Sequence, residues 1–508
     1  MQPVQSPVRR IIATSGLMLA TLTNTLDMTI ANVALPHMQG SLSASMDQMV
    51  WVLTSYIVAS AAMTPFTGWL AGRTGRKSLF LCSLAAFIAA SMLCGLAINL
   101  QQMILFRILQ GVAGASMMPI SQAALLDMWP REKTPQIMAL SGSIITAAPV
   151  IGPTVGGYLT DEWSWRWSFF INLPLGLIAF AMILFAMPKD SGGRQRPFDA
   201  LGYLSLVMLT VGAQLMLDRG PMKGWFESTE IMVEAAMAGL GLYLFTIQTL
   251  MARNPFVHRD IFRDRNFTTS MVFGILVAIV MFASISLLPT FMQVLLGYSA
   301  IHAGWATIPR GIGAILGFVV VPRMAQVLGA RPTMVMGILL TAIGLWQMTH
   351  FSLDMTDMSI RTSGFILGFG SSLLFNPMSV LSYATLPAVH RDEATVFSST
   401  LRNFGGSLGI ALFGVVHTDQ DATVRSHLAA HLVPTDIAFR LRLPDFVPTD
   451  TSMLSTLNFE MLRQAEMVAY VTAFSYLFLV SLAMLPLIYF MRPARQNRSA
   501  VPVEVAAH

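Results

Sequence analysis

Asp27 is an acidic residue in the middle of an apolar segment, and an unpaired carboxylate there costs about 2.5 to 3.5 kcal/mol on membrane-insertion scales. The apolar run from residue 11 to residue 35 is long enough for a membrane-crossing helix. A carboxyl group at this depth can couple a proton gradient to a conformational change if two conformations hydrate it differently. The alternative is a structural carboxylate that bonds to Thr23 or Asn32 and never titrates.

Three arginines also fall inside apolar segments: Arg107, Arg310 and Arg402. A guanidinium group stays charged at physiological pH, so each must face the interior of a helical bundle or a wet cavity. Structural bonds to backbone carbonyls would satisfy Arg107, while substrate contact and plain helix bonding are both open for the other two. One acid against three arginines predicts a cation-rich cavity, which favours amphiphilic weak acids and neutral aromatics over dications.

A second pattern combines proline and glycine within one apolar segment and then reaches three tryptophans. Its members are Pro149, Gly152, Pro153, Gly156, Gly157, Trp163, Trp165 and Trp167. Proline kinks a helix, and glycines four and five residues apart leave a flat strip that a neighbouring backbone can approach. Tryptophan is typical of the boundary between hydrocarbon and water. The pattern predicts a bent helix at a seam between two bundles that pack tightly in one state and separate in another.

The composition excludes soluble globular classes, since 54% of the 508 residues are hydrophobic and 11% are charged. The net charge of +5 does not indicate a nucleic-acid partner, because Lys and Arg occur in short runs between apolar segments. Cys82 and Cys94 lie in one apolar segment, which provides neither a disulfide framework nor a metal site. His427 and His431 share a helical face without a further ligand, so we expect no metal centre.

Fourteen segments have the length and apolarity of membrane spans. They lie near residues 11–35, 48–70, 78–98, 103–127, 136–159, 166–187, 199–217, 231–251, 267–296, 302–322, 332–351, 361–386, 394–416 and 468–490. We predict an N-terminal six-helix bundle in residues 1–190, two inserted helices in 191–258, and a C-terminal six-helix bundle in 259–508. This last bundle includes an extracytoplasmic loop near residues 417–467, with one or two short amphipathic helices.

The distribution of basic residues predicts the orientation of the chain. About 20 of the 31 Lys and Arg residues fall in the termini and alternate loops, and about 8 fall in the opposite loops. Both termini are therefore expected in the cytoplasm, in a multi-pass protein of the cytoplasmic membrane. A short echo, Ala71 to Gly75 and Ala325 to Gly329, indicates two bundles related by an axis along the membrane normal.

Several strings resemble the fourteen-helix drug:proton antiporter branch of the major facilitator superfamily, the EmrB- and QacA-like transporters. The strings are Leu26 to Pro36, Gly68 to Lys77, Arg107 with Gln110 and Gly111, Pro149 to Gly157, Leu217 to Gly220 with Trp225 and Phe226, and Leu401 to Asn403 with Gly405 to Ser407. The resemblance covers nearly the whole chain. One departure is Gly72, where the family's loop motif carries an acidic residue that is thought to latch the two halves in one state.

The resemblance implies an all-α membrane protein with the major facilitator fold, in which Asp27 and Arg107 take part in proton coupling. We take Asn32, Gln110, Arg310 and Arg402 as candidates for the substrate cavity between the bundles. The resemblance assigns conformational change to the Pro149 to Gly157 segment and to a second group: Gly68, Arg73, Gly75, Arg76 and Lys77. The basic members of this second group could instead be plain cytoplasmic anchors.

The implied function is proton-driven export of hydrophobic or amphiphilic small molecules, with a proton gradient as the energy source and no cofactor. The expected partners are these substrates, protons and the lipid bilayer, with a periplasmic membrane-fusion adaptor and an outer-membrane channel as further candidates. One alternative is a proton-coupled importer or exporter of a single metabolite or siderophore. A membrane enzyme is the least supported alternative, because the sequence has no spaced nucleophile and base, metal cluster or phosphate loop.

Overall fold

The computed structural model describes residues 6–130, 133–188, 197–253, 255–386, 391–431 and 451–491. Within these ranges the chain is α-helical, with a 3-10 turn at Trp225–Glu227 and a π-helical turn at Phe291–Leu295. The helices of the N-terminal bundle are α1 (Pro7–Leu42), α2 (Met46–Thr74), α3 (Arg76–Leu96), α4 (Leu100–Gly114), α5 (Met117–Met128), α6 (Thr134–Glu162), α7 (Trp167–Phe170) and α8 (Asn172–Ala186). The inserted helices are α9 (Ala200–Lys223) and α10 (Thr229–Met251). The helices of the C-terminal bundle are α11 (Arg259–Arg263), α12 (Arg265–Thr290), α13 (Ala300–Val327), α14 (Ala330–Met348), α15 (Asp357–Ala384), α16 (Arg391–His431), α17 (Thr451–Ala483) and α18 (Leu485–Phe490).

All fourteen predicted spans overlap helices, and three of them correspond to paired helices: α4 with α5, α7 with α8, and α17 with α18. Within the described ranges, ten helical segments are long and apolar enough to cross a membrane. The four predicted spans outside that set coincide with α1, α6, α14 and α16, which pack among the ten. The all-α membrane architecture is therefore confirmed. The exact bundle boundaries stay a prediction.

Glycine produces the same backbone turn in both halves of the chain. Gly75 connects α2 to α3 with φ 83° and ψ 144°, and Gly329 connects α13 to α14 with φ 92° and ψ 162°. Residues with a Cβ atom rarely adopt these positive φ values. The sequence echo around Gly75 and Gly329 therefore corresponds to a repeated structural turn.

Each bundle has its own hydrophobic core. In the N-terminal bundle, Phe80 and Phe87 of α3 belong to a cluster that also includes Leu17 of α1 and Ile183 of α8. The cluster of the C-terminal bundle joins α12 to α15 with α17 and α18, and the Phe291 ring lies 5.3 Å from the Tyr470 ring. Two separate cores agree with two bundles that can move against each other as units.

The inserted helices pack on each other and bridge the two bundles. A Cβ atom at Gly212 of α9 would lie 2.8 Å from the backbone of α10, so the two helices are in close contact. The Tyr203 hydroxyl donates to the Ala62 carbonyl of α2 over 3.1 Å. On the other side, Gln214 donates to the Ser407 hydroxyl of α16 over 2.7 Å.

Contacts between the bundles run along most of α6 and α13. We call one end of the molecule the basic end and define it by the Gly75 turn, the end of α8 and the start of α12. There, Gly68 of α2 faces Val396 of α16, and Gly142 of α6 faces the Phe318 ring of α13. The opposite end is called the far end.

The predicted loop near residues 417–467 begins and ends in long helices. Helix α16 extends to His431 and α17 begins at Thr451, while residues 432–450 lie outside the described part. The 41 residues of α16 are about 60 Å long, roughly twice the thickness of a bilayer core. The expectation of short, separate amphipathic helices is therefore corrected for the described residues, because the membrane helices themselves continue beyond the bilayer. No group of three or more His, Cys, Asp and Glu in the described ranges could hold a metal ion.

Candidate functional site

Asp27 lies in the middle of α1 and is almost completely buried. Its Oδ2 accepts a hydrogen bond from Nη1 of Arg107 over 2.7 Å. Its Oδ1 accepts hydrogen bonds from the side-chain amides of Gln110 over 2.8 Å and Asn172 over 2.6 Å. We call these four residues the Asp27 cluster.

Arg107 is held in place from several sides. Its Nε donates to the Val52 carbonyl of α2 over 2.9 Å, and its Nη1 also donates to Oε1 of Gln110 over 2.8 Å. The guanidinium carbon lies 4.4 Å from the centre of the Tyr56 ring, a distance at which a cation–π interaction is favourable. Its Nη2 is buried without a hydrogen-bond partner in the described part of the chain. Arg107 thus lies in a bundle interior, one of the two surroundings expected for it, and its part in proton coupling stays a prediction.

The cluster connects four helices of the N-terminal bundle. Arg107 and Gln110 are three residues apart on α4 and therefore share one face. Asn172 begins α8 and also donates to the Ser91 hydroxyl of α3 over 2.8 Å. Together with Asp27 of α1, these contacts bring α1, α3, α4 and α8 to one point. A movement of any of these helices would change the hydrogen bonds of the acid.

Asp27 and Arg107 form a buried ion pair in this conformation. Neither side chain has exposed surface, and the carboxylate accepts three hydrogen bonds. Protonation of Asp27 would leave Arg107 as an uncompensated buried cation, and breaking a buried pair costs about 3 to 5 kcal/mol. Uptake of a proton therefore requires a conformation that separates the pair or hydrates it.

The structure corrects the contacts that the sequence predicts for Asp27, both the absence of a partner and the partners named. The carboxylate is paired, whereas the cost assigned to it assumed an unpaired group. Its partners are not Thr23 or Asn32, because Thr23 donates to the Leu19 carbonyl and Asn32 is exposed. Helix geometry explains the difference, since the Thr23 hydroxyl satisfies itself on its own α1 backbone.

Two of the four cavity candidates lie inside bundles and do not line an open cavity. Gln110 is completely buried because its amide bridges Asp27 and Arg107. Arg310 of α13 is 3% exposed, and its Nη2 donates to the Ser284 hydroxyl of α12 over 2.9 Å. In this conformation α12 and α15 enclose Arg310, and its role as a substrate contact stays a prediction.

Arg402 of α16 lies between the two bundles. Its Nη2 is 3.7 Å from the sulfur of Met118 on α5 and 3.3 Å from the Ser399 hydroxyl. Neither Arg402 nor Arg310 forms a described ion pair with an acid. These two arginines, together with the exposed Asn32, are the cavity candidates whose role as substrate contacts stays a prediction.

The basic residues of the loop motif connect helices at the basic end. Arg76 forms an ion pair with Asp127 of α5. The Lys77 ammonium donates to the Leu184 carbonyl over 2.7 Å, in the last turn of α8, where a cation is favourable. Arg73 is exposed and lies 5.4 Å above the Trp69 ring. Arg76 and Lys77 thus connect helices of the N-terminal bundle, and their alternative role as cytoplasmic anchors stays a prediction.

Gly72 and Gly68 lie where the N-terminal bundle meets α16. Both line a cavity of about 110 Å³ together with Asp199, Glu393 and Val396. A Cβ atom at Gly68 would lie 3.3 Å from the Val396 side chain. Gly68 thus contacts α16, whereas Gly72, where the family's loop motif carries an acidic residue, lines a cavity that also contains two carboxylate side chains.

The glycine strip of α6 packs against α1 of the same bundle. A Cβ atom at Gly152 would overlap Thr29, and one at Gly156 would lie 3.1 Å from Ile30. Contact with the C-terminal bundle uses other positions of α6, among them Thr154, which faces Gly304 of α13. The prediction that α6 lies at the seam agrees with this packing, but the glycine strip faces α1 and not the C-terminal bundle.

The other members of that segment are less constrained. A Cβ atom at Gly157 would have no described atom outside its own helix turn within 4 Å. Pro153 is half-buried, and the side chain of Pro149 lies outside the described residues. Among the tryptophans, Trp163 and Trp167 are exposed, as expected at a membrane boundary, whereas Trp165 is buried.

Three residues in or next to the cluster were not identified from the sequence: its member Asn172, and Tyr56 and Ser91, which contact it. The signal for Asn172 is a polar amide inside the apolar run after Trp167, since such a group must find a hydrogen-bond partner in a membrane. Tyr56 and Ser91 carry no comparable signal, because both residue types are frequent in membrane helices.

Comparison with known proteins agrees with this architecture. A family model described as Major Facilitator Superfamily matches residues 17–410. The chain belongs to the major facilitator superfamily. It is 34% identical over 427 residues to the multidrug export protein EmrB of Escherichia coli strain K12, covering 84% of this chain and 83% of the relative.

Two further relatives have similar coverage. The fatty acid resistance protein FarB of Neisseria gonorrhoeae is 34% identical over 423 residues, with 83% of both chains covered. The multidrug transporter protein MdtP of Bacillus subtilis is 31% identical over 415 residues, covering 80% of this chain and 75% of the relative. The predicted resemblance to EmrB-like transporters of the superfamily is confirmed. Membership of this superfamily makes the chain a multi-pass membrane transporter.

Proposed function

We propose that this transporter exports hydrophobic or amphiphilic small molecules across the cytoplasmic membrane in exchange for protons. The names of EmrB and MdtP describe multidrug transport, and the name of FarB describes resistance to fatty acids. The observation that carries the proton coupling is the buried pair of Asp27 and Arg107, which permits a proton on Asp27 only if the surrounding helices move.

The packing of α1 and α6 supports a route from the proton to the bundle interface. Thr29 lies two residues after Asp27 on α1 and packs directly against Gly152 of α6. Helix α6 in turn contacts α13 of the C-terminal bundle through Thr154 and Gly304. Movement of α1 when the ion pair opens would therefore be transmitted to the interface between the bundles.

Two guanidinium groups without described acidic partners favour one class of substrate. They belong to Arg310, inside the C-terminal bundle, and Arg402, between the bundles, whereas Arg107 is paired with Asp27. Amphiphilic weak acids and neutral aromatics would be attracted to these guanidinium groups, and organic dications would be repelled.

The basic end faces the cytoplasm in this proposal, because basic residues accumulate on the cytoplasmic side of membrane proteins. The extensions of α16 and α17 then project from the opposite face of the membrane. They offer a rigid helical surface to a periplasmic adaptor protein, which could connect the transporter to an outer-membrane channel.

Everted membrane vesicles with a preformed, acid-inside pH gradient test this function. Addition of a neutral aromatic dye should collapse the gradient in vesicles that contain the wild-type protein, because each exported molecule releases protons. Asp27→Asn should abolish the response, whereas Asp161→Asn, which changes an exposed acid, should not. An importer would move dye and protons in the same sense, and an enzyme would leave the gradient intact. A full response with Asp27→Asn would refute the proton-coupling role of Asp27.

A further inference from the structure

The inserted helices carry a half-buried carboxylate, with one buried oxygen, that the Asp27 cluster does not use. Asp218 lies on α9 about 8 Å from the helix end at Lys223, close to the far end of the molecule. Its Oδ1 accepts a hydrogen bond from the Gln214 amide over 2.9 Å. Its Oδ2 is buried without a hydrogen-bond partner among the described residues.

The neighbouring arginine does not neutralise Asp218. Arg219 donates to Glu230 over 2.7 Å and to Glu234 over 3.0 Å, and its guanidinium carbon lies 4.8 Å from the Trp51 ring of α2. Glu234 of α10 acts on Asp218 as a like charge, and its Oε2 is also buried without a described partner. The ionised form of Asp218 therefore has a negative neighbour and no described cation within ion-pair distance.

Among the described residues, neither Lys223 of α9 itself nor the elements packed against α9 supply a compensating charge. Lys223 pairs with Glu230 at 3.4 Å. The charged side chain described on α2 is Arg73, at the basic end. Helix α16 presents the Ser407 hydroxyl, while Arg402 on the same helix points toward α5.

Gln214 links Asp218 to the C-terminal bundle. The side-chain nitrogen of Gln214 donates to Oδ1 of Asp218 and also to the Ser407 hydroxyl of α16 over 2.7 Å. An amide nitrogen has two N–H groups, so both are used. A hydrogen bond to an ionised carboxylate is about twice as strong as one to a neutral acid. Protonation of Asp218 therefore weakens the hydrogen bond that orients the Gln214 amide toward Ser407, and with it the support for the contact between α9 and α16.

We propose that Asp218 binds a proton from the far side of the membrane and that this proton, through Gln214, loosens the contact of α9 with α16 and speeds the transport cycle. The proposal rests on the proposed export function, and it assigns to Asp218 a control of rate that is separate from the proton carried by Asp27. The proton comes from water at the far end and returns to it when Asp218 ionises, so the number of protons transported per substrate is unchanged.

The test uses purified full-length protein in liposomes, with the pH difference across the membrane held constant while the far-side pH is varied. One pH unit changes the ratio of protonated to ionised carboxyl groups about tenfold, so the initial rate of dye transport should rise severalfold as the far side is acidified. Asp218→Asn should remove this dependence and still accumulate dye against its gradient. Glu230→Gln is the matched control from the same region and should keep the dependence.

Ser407→Ala provides a second test that leaves Asp218 in place, and it should also flatten the dependence on far-side pH. An unchanged dependence in either Asp218→Asn or Ser407→Ala would overturn the proposal while the export function stands. Loss of dye accumulation in Asp218→Asn would also overturn it, because that variant is expected to remain coupled. Failure of the export function itself would appear differently, as the absence of proton-coupled dye accumulation in the wild-type protein.

Discussion

Removing either member of the Asp27 and Arg107 pair should destabilise the protein strongly, and removing both should cost little more than removing one. The charges are 2.7 Å apart with no exposed surface, so their attraction is about 6 kcal/mol at an effective dielectric constant of about 20. Desolvation offsets most of this attraction. The loss from Asp27→Asn or Arg107→Met is therefore about 3 to 5 kcal/mol each, since each leaves an unpaired buried charge.

Equilibrium unfolding in mixed micelles measures these free energies for the two single variants and the double variant. We expect an interaction energy of about 3 kcal/mol, because the double variant buries no charge at this point. Arg463→Gln removes a partly exposed pair with Glu460 and serves as the control, with a change within about 0.5 kcal/mol. Additive losses in the double variant, or single losses near that of the control, would refute the pairing on which the account depends.

Two further predictions concern a helix contact and an alkaline titration. Gly152→Ala should lower the unfolding free energy by about 1 to 3 kcal/mol and slow dye transport, because the new methyl group overlaps Thr29. Gly157→Ala is the control, since its methyl group has room and should leave the stability and the transport rate unchanged. Equal effects of the two substitutions would contradict the packing of α6 on α1. The hydrogen bond that Tyr298 donates to Asp357, together with burial, raises the pKa of Tyr298 to about 12. Because the folded state holds this proton more tightly, the resulting stability is complete below about pH 10 and is lost as the pH rises toward 12. The ultraviolet spectrum of Tyr298→Phe should lack one tyrosine that ionises near the top of this range, and an identical alkaline titration would contradict the assignment.

Hydropathy and charge reveal the helices because the bilayer imposes both length and apolarity on each span. The same constraint identifies Asp27 and Arg107, since a charged side chain inside a span needs a partner. It does not identify the partner. Asn172 is 145 positions from Asp27, and only the packing of α8 beside α1 brings their side chains together.

Local patterns also leave the direction of a helix face undetermined. The small residues of α6 predict a close contact, and the contact exists, but Gly152 packs against α1 and not against the second bundle. The sequence also did not indicate that Oδ2 of Asp218 is buried, because the position of Asp218 near the end of a span resembles that of an interfacial acid. Both cases depend on the arrangement of helices around the residue, which a single sequence does not contain.

The central claim is that Asp27 gains and loses a proton during transport. Infrared difference spectra of wild-type protein minus Asp27→Asn, recorded with substrate from about pH 5 to about pH 9, follow the charge of this carboxyl group directly. We predict a carbonyl band of the protonated acid at low pH that is replaced by carboxylate bands as the pH rises. A carboxyl group that keeps one form throughout the range would contradict the account.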